Sequence, residues 1–134
     1  MKELNQTKHK VIIIDDEPED LDPLVEYLEE KGCSVRVKKY PEEGLTETKN
    51  WQPDLVLLDI YFKTANTDGS HFFSDIQNSM QKPNVVYFSD NMTKDEYLER
   101  PLLPVGSDAV RDPIISKWIG YKKIYEELVR AGRL

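Results

Sequence analysis

Cysteine, histidine and long apolar runs are all scarce in this chain, and basic residues are outnumbered by acidic ones. The single cysteine, Cys33, excludes an intramolecular disulfide and fits a reducing compartment. It reads as a small, half-buried residue in a turn ahead of a strand. The two histidines, His9 in a polar N-terminal segment and His71 at a helix start, have no second His or Cys nearby, which argues against zinc. No segment approaches the roughly 18 apolar residues of a membrane span, and MKELNQTKHK has no apolar stretch of its own. Neither a span nor a signal peptide is expected, and the expected location is cytoplasmic. With 18 basic against 25 acidic residues and a net charge of −7, the surface is ill suited to nucleic acid. Repeats, low-complexity tracts and linkers are absent too. The expectation is a polar tail over 1–9 and a single domain over 10–134, long enough to bury a core.

What is present is an alternation of short apolar runs and helical patterns. KVIIID reads as a buried strand of β-branched residues. In PEDLDPLVEYLEEKG, the residues Leu21, Leu24, Val25 and Leu28 form one helical stripe, with Gly32 at the C-terminal stop and Pro23 in the first turn, Asp22 serving as cap. SVRVKKY alternates apolar and basic residues, as an edge strand does. A short helix over PEEGLTETKNW, the strand LVLLD, a helix over SHFFSDIQNSM and the strand NVVYFSD follow. TKDEYLER forms a stunted helix stopped by Pro101, SDAVRDP a weak fifth strand, and IISKWIGYKKIYEELVRAG a long final helix. Trp118, Tyr121 and Tyr125 fall on it at helical spacing and read as packing residues. Five β-α units with buried strands predict an α/β fold with a doubly wound parallel sheet and helices on both faces.

In such sheets the functional site lies beyond the carboxyl ends of the strands. The first predicted strand ends in Asp15-Asp16, the third in Asp59 and the fourth in Ser89. Burying an unpaired carboxylate costs several kcal/mol, so Asp59 at the tip of Leu55-Val56-Leu57-Leu58 requires partners. Three carboxylates at one sheet edge repel one another, and a divalent cation resolves this. Oxygen-only ligands favour Mg²⁺ or Mn²⁺. The run DDEPED lacks the ligand spacing and glycine of a calcium loop.

The succession VIIIDDEPED, PDLVLLDI with a following DG, VVYFS and a DP before the last helix resembles the receiver domain of two-component response regulators. The resemblance runs from about Lys10 to Leu134. The separations between Asp16, Asp59 and Ser89 match the family's usual ones. It implies a five-stranded (βα)5 flavodoxin-like fold with strand order 2-1-3-4-5. It also implies that Asp59 accepts a phosphoryl group and that Asp16 and Asp59 ligate Mg²⁺. Asp15 would reach the metal through water, and the Tyr61 carbonyl would complete the set. Ser89 would be the switch hydroxyl. The implied partners are a sensor histidine kinase or phosphotransfer protein and a downstream protein bound at the fourth-helix, fifth-strand, fifth-helix face. A homodimer is a further candidate; no nucleic acid or membrane partner is expected. The chain would not be a conventional enzyme; at most it would carry Mg²⁺-dependent self-phosphorylation and autodephosphorylation at Asp59.

Five departures from the family pattern stand in the sequence. The family's phosphoryl-binding lysine precedes the proline after strand five, and here Asp112 precedes Pro113, with Arg111 as the candidate substitute cation. Asp90 follows Ser89 where the family keeps a small residue. The loop between Asp59 and Asp68-Gly69 is longer than usual. Ala109 stands near the usual switching aromatic, and the fourth helix is short and followed by Pro101 and Pro104. These departures leave a second reading open: a pseudo-receiver, a binding module that works independently of phosphorylation. A haloacid-dehalogenase-type phosphohydrolase would need an acid two residues after Asp59, and Tyr61 is there. A stand-alone receiver and a domain excised from a longer protein are both compatible with the chain.

Overall fold

The computed structural model describes residues 8–59, 61–62, 67–68, 70–107 and 113–134. Its centre is a five-stranded parallel sheet of β1 (Lys10–Ile14), β2 (Ser34–Lys38), β3 (Leu55–Asp59), β6 (Val85–Ser89) and β7 (Ile114–Ser116). The order across the sheet is β2-β1-β3-β6-β7, which is 2-1-3-4-5 when the sheet's strands are counted along the chain. Between β3 and β6 lies a separate antiparallel ribbon of β4 (Tyr61–Phe62) and β5 (Thr67–Asp68). The helices are α1 (Asp22–Glu30), α2 (Pro41–Trp51), α3 (Ser70–Asn78), α4 (Lys94–Glu99) and α5 (Tyr121–Arg130), with 3-10 turns over Pro18–Leu21 and Lys117–Ile119.

Strand side chains alternate faces, so each central strand feeds two cores. Val11 and Ile13, with Leu55 and Leu57, pack against Leu24 and Leu28 of α1, Tyr97 of α4, and Ile124 and Leu128 of α5. Ile12 and Ile14, with Val56 and Leu58, pack with Ile76 of α3, Met80, and Leu45 and Trp51 of α2. All five residues of β3 are buried, whereas β2 at the sheet edge is half-buried with Arg36 exposed. Asp22, expected as a cap, is the first residue of α1; Pro23 sits in its first turn and Gly32 follows its end with a φ of 94°. The short α4 starts firmly: Thr93 Oγ1 accepts the Glu96 N–H at 3.1 Å and Glu96 Oε1 accepts the Thr93 N–H at 2.9 Å, a reciprocal capping box.

Helix α2 lies unusually close to β1. A Cβ on Gly44 would meet Ile14 side-chain carbons at 2.5 to 3.0 Å, and Ile14 is fully buried and unable to retreat. Gly44→Val is therefore expected to lower stability by about 1–3 kcal/mol, the usual cost of overpacking, as a lower urea midpoint with unchanged slope. An unchanged midpoint would mean that α2 and β1 can separate freely.

The C-terminal third differs from the sequence expectation. The fifth strand of the sheet is Ile114–Ser116, after Pro113; most of SDAVRDP, where it was expected, lies outside the described residues. The final helix does not begin at Ile114: Lys117–Ile119 is a 3-10 turn, Gly120 follows it at φ 92°, and α5 begins at Tyr121. Ile115, Trp118 and Ile119 have helical spacing, but Ile114, Ile115 and Ser116 gain more by pairing with Tyr87, Phe88 and Ser89 of β6. Tertiary pairing thus overrides a local pattern. Ala109, Arg111 and Asp112 lie outside the described residues.

Candidate functional site

The carboxyl ends of β1, β3, β6 and β7 deliver the functional side chains to one edge of the sheet. Asp15 and Asp16 follow β1 directly, Asp59 closes β3, Ser89 closes β6, and Lys117 follows β7. Asp15 is fully buried, and Asp16, Asp59 and Ser89 are each 5% exposed. Carboxylate oxygens of Asp15, Asp16 and Asp59 all lie within 4.8 Å of one another. That spacing and an all-oxygen donor set fit a hard divalent cation. Tyr61, the expected carbonyl ligand, opens β4 two residues beyond Asp59.

Both oxygens of the Asp15 carboxylate are engaged. Oδ1 accepts the Glu17 N–H at 2.8 Å, and Oδ2 accepts Lys117 Nζ at 2.6 Å. Among the described residues, Lys117 is the cation that reaches this cluster. Burial pushes its ammonium pKa down, but the Asp15 hydrogen bond and the attraction of Asp15, Asp59 and Asp90 outweigh that, and the pKa rises above the usual lysine value. Its Nζ also lies 5.4 Å from the Phe88 ring centroid. Asp112, expected at the lysine's position, and Arg111, the candidate substitute, lie outside the described residues, but a lysine stands directly after the strand Ile114–Ser116, followed by Trp118 where proline was looked for. A β-branched pair ending in Ser-Lys and closed by Gly120 was the sequence signal for it, and Asp112-Pro113 drew attention away.

Ser89 Oγ accepts the Asn91 N–H at 3.1 Å, a local bond at the start of the loop into α4. Asp90, half-buried, is close enough to Lys117 to act on its charge. The strand β7, Ile-Ile-Ser, carries no aromatic residue. Of the expected site residues, the fold brings Asp15, Asp16, Asp59 and Ser89 together at one edge.

A doubly wound α/β domain with acids at the ends of its two central strands, and a hydroxyl and a lysine at the ends of the next two, defines a class, and the comparisons agree with it. The response regulator receiver domain model matches residues 11–118, and the chain belongs to that family. It is 30% identical over 81 residues to the nitrogen assimilation regulatory protein NtrX of Azorhizobium caulinodans, covering 60% of this chain and 18% of that protein's length. The chain thus spans less than a fifth of the curated relative it matches. Among solved structures, a CheY-like receiver domain protein from Methanospirillum hungatei JF-1 superposes with a TM-score of 0.71 at 19% identity, covering 92% of this chain and 93% of that one. A two-component response regulator from Clostridium difficile gives 0.71 at 22% identity, covering 94% and 97%. Both share the five-stranded fold. Among the described residues, no helix is long and apolar enough to cross a membrane.

Proposed function

We propose that this receiver domain accepts a phosphoryl group on Asp59 and transmits the change to a protein partner. The observation that carries the reading is the cluster itself: three buried carboxylates within 4.8 Å beside a lysine 2.6 Å from one of them. An Asp59 carboxylate oxygen attacks phosphorus, the bond to the leaving group breaks with its electron pair, and an acyl phosphate results. Nucleophile and donor are both anionic, so the barrier is chiefly electrostatic, and preorganised positive charge lowers it. Lys117 supplies part of that charge. Asp16 and Asp59 would hold Mg²⁺ (or Mn²⁺), with the Tyr61 carbonyl as a further ligand and Asp15 acting through water, as the family resemblance implies. When bound, the metal offsets negative charge that develops on the transferring group. Ser89 would donate its hydroxyl to a phosphoryl oxygen, turning Oγ away from the Asn91 N–H that it now accepts. The upstream partner would be a sensor histidine kinase or phosphotransfer protein, and the downstream partner would dock on the face formed by α4, β7 and α5.

Lys117 removes the main ground for a module that works without phosphorylation. Incubation with Mg²⁺ and acetyl phosphate, followed by intact-mass measurement, should add one phosphoryl group to the native chain and none to Asp59→Asn. A native chain whose mass never changes, with acetyl phosphate or a phosphorylated histidine donor, would overturn the proposal.

A further inference from the structure

Lys117 lies between two residues that both grip the loop after β6. Ser116, fully buried, donates its hydroxyl to the Met92 carbonyl at 2.5 Å and accepts the Trp118 N–H at 3.0 Å. Trp118 directs its indole Nε1–H to the Asp90 carbonyl at 2.5 Å, although the residue is 65% exposed. The loop in turn reaches the site, because the Asn91 N–H is the donor to Ser89 Oγ. A tryptophan this exposed adds little to the core, and its one polar atom is spent on a loop carbonyl. The turn that carries the ammonium and the loop that carries Ser89's partner are therefore joined by two side-chain bonds, one on each side of Lys117.

We propose that Ser116 and Trp118 are positioning residues that couple Lys117 to the 90–92 loop, so that a displacement of the ammonium is transmitted to Asn91 and from it to the Ser89 hydroxyl. The two bonds do what a rotating aromatic cannot do in a strand of Ile-Ile-Ser. When Lys117 leaves Asp15, its turn moves, and the Met92 and Asp90 carbonyls follow the groups that hold them. The Asn91 N–H then loses its alignment with Ser89 Oγ, which releases the side chain that this bond holds in place to turn and present its O–H to another acceptor. The coupling deepens the reading given under Proposed function, in which Lys117 and Ser89 serve the same phosphoryl group. It does not need a phosphodonor to be tested, so its failure and the failure of that reading can be told apart.

The test is a mutant cycle read by ¹⁵N–¹H NMR on the full chain without phosphodonor. Lys117→Met should shift both the Asn91 amide and the Trp118 indole resonance. In the Ser116→Ala/Trp118→Phe background, adding Lys117→Met should leave the Asn91 amide where it is. Amides of Val56 and Leu57 in β3 report that each variant is folded. If the double background fails to fold, Trp118→Phe alone, which changes an exposed ring, should remove about half of the Asn91 response, one of two linking bonds being gone. The proposal is overturned if Asn91 ignores Lys117→Met in the native chain. It is equally overturned if Asn91 responds by the same amount with the linking residues removed.

Discussion

In the Lys117→Met chain, phosphoryl transfer from acetyl phosphate to Asp59 is expected to slow by about 10²-fold, the usual effect of removing one preorganised charge from a developing anion. Divalent-cation affinity should move the opposite way. The ammonium competes for Asp15 Oδ2, and its loss removes a repulsive charge from the pocket. Tighter Mg²⁺ binding with slower phosphorylation separates a charge effect from unfolding, which would weaken both. Without Mg²⁺ the variant should also be less stable, since Asp15 is left buried and short of a partner, a change that typically costs about 3–5 kcal/mol. Saturating Mg²⁺ should restore part of that by binding the native state alone. The sign of the pH dependence follows from the raised pKa of Lys117. Its ion pair contributes fully below the unfolded lysine value and is lost only as pH rises through the folded one. The difference between native chain and variant should therefore stay constant across neutral pH and narrow only in strong alkali. A variant that phosphorylates at the native rate would remove Lys117 from the site.

Tyr97→Ala is the second large effect, expected to destabilise the chain by about 3–5 kcal/mol as judged from large aromatic-to-alanine changes in cores. Tyr97 is fully buried where α4 meets α5. Its hydroxyl donates to Glu127 Oε1 at 3.0 Å and accepts the Leu102 N–H at 3.3 Å. Tyr97→Phe keeps the ring and leaves those two groups short of a partner, at about 1–3 kcal/mol. The difference between the variants, read from urea midpoints, apportions the anchor between packing and polar bonding. Burial pushes Glu127 up, but hydrogen bonds from Arg130, Tyr97 and Lys123 prevail and hold its carboxyl below the usual glutamate value. A folded pKa below the unfolded one means stability that is present above the usual value of 4.5 and lost as pH falls through the folded one. Tyr97→Phe should lose less stability between pH 5 and more acid conditions than the native chain does. An equal acid loss in both would show that the tyrosine does not act on Glu127.

The same anchor bears on signalling. α4 is six residues long, yet the capping box at Thr93, buried Tyr97 and the Arg130 bond to the Leu102 carbonyl at 2.8 Å fasten its start, middle and exit. Movement confined to residues 90–92 is consistent with such a helix, because those residues hang from Ser116 and Trp118 and not from α4 itself.

Much of this was legible without coordinates wherever local pattern and tertiary demand agree. Leu55–Asp59 had to be a central strand, because a solid apolar run needs both faces covered, and an acid at its tip had to lie at the open end of the sheet. The same reasoning set Asp15, Asp16 and Ser89 beside it, since parallel strands align their carboxyl ends. The edge position of β2 followed from its alternation of valine with arginine and lysine. Other features depended on partners far away in the chain. Neither the β4-β5 ribbon after Asp59 nor the reach of Lys117 to Asp15 leaves a periodic trace. The segment from Ile114 to Ile119 fits a helix by spacing and becomes a strand and turn because β6 offers unpaired backbone beside it, and pairing satisfies groups that a first helical turn would leave open. The sequence by itself determined the sheet, its two cores and the acidic edge, because burial and strand polarity are written residue by residue. Only the tertiary structure decided which cation meets those acids, because that choice turns on the pairing register of one three-residue strand.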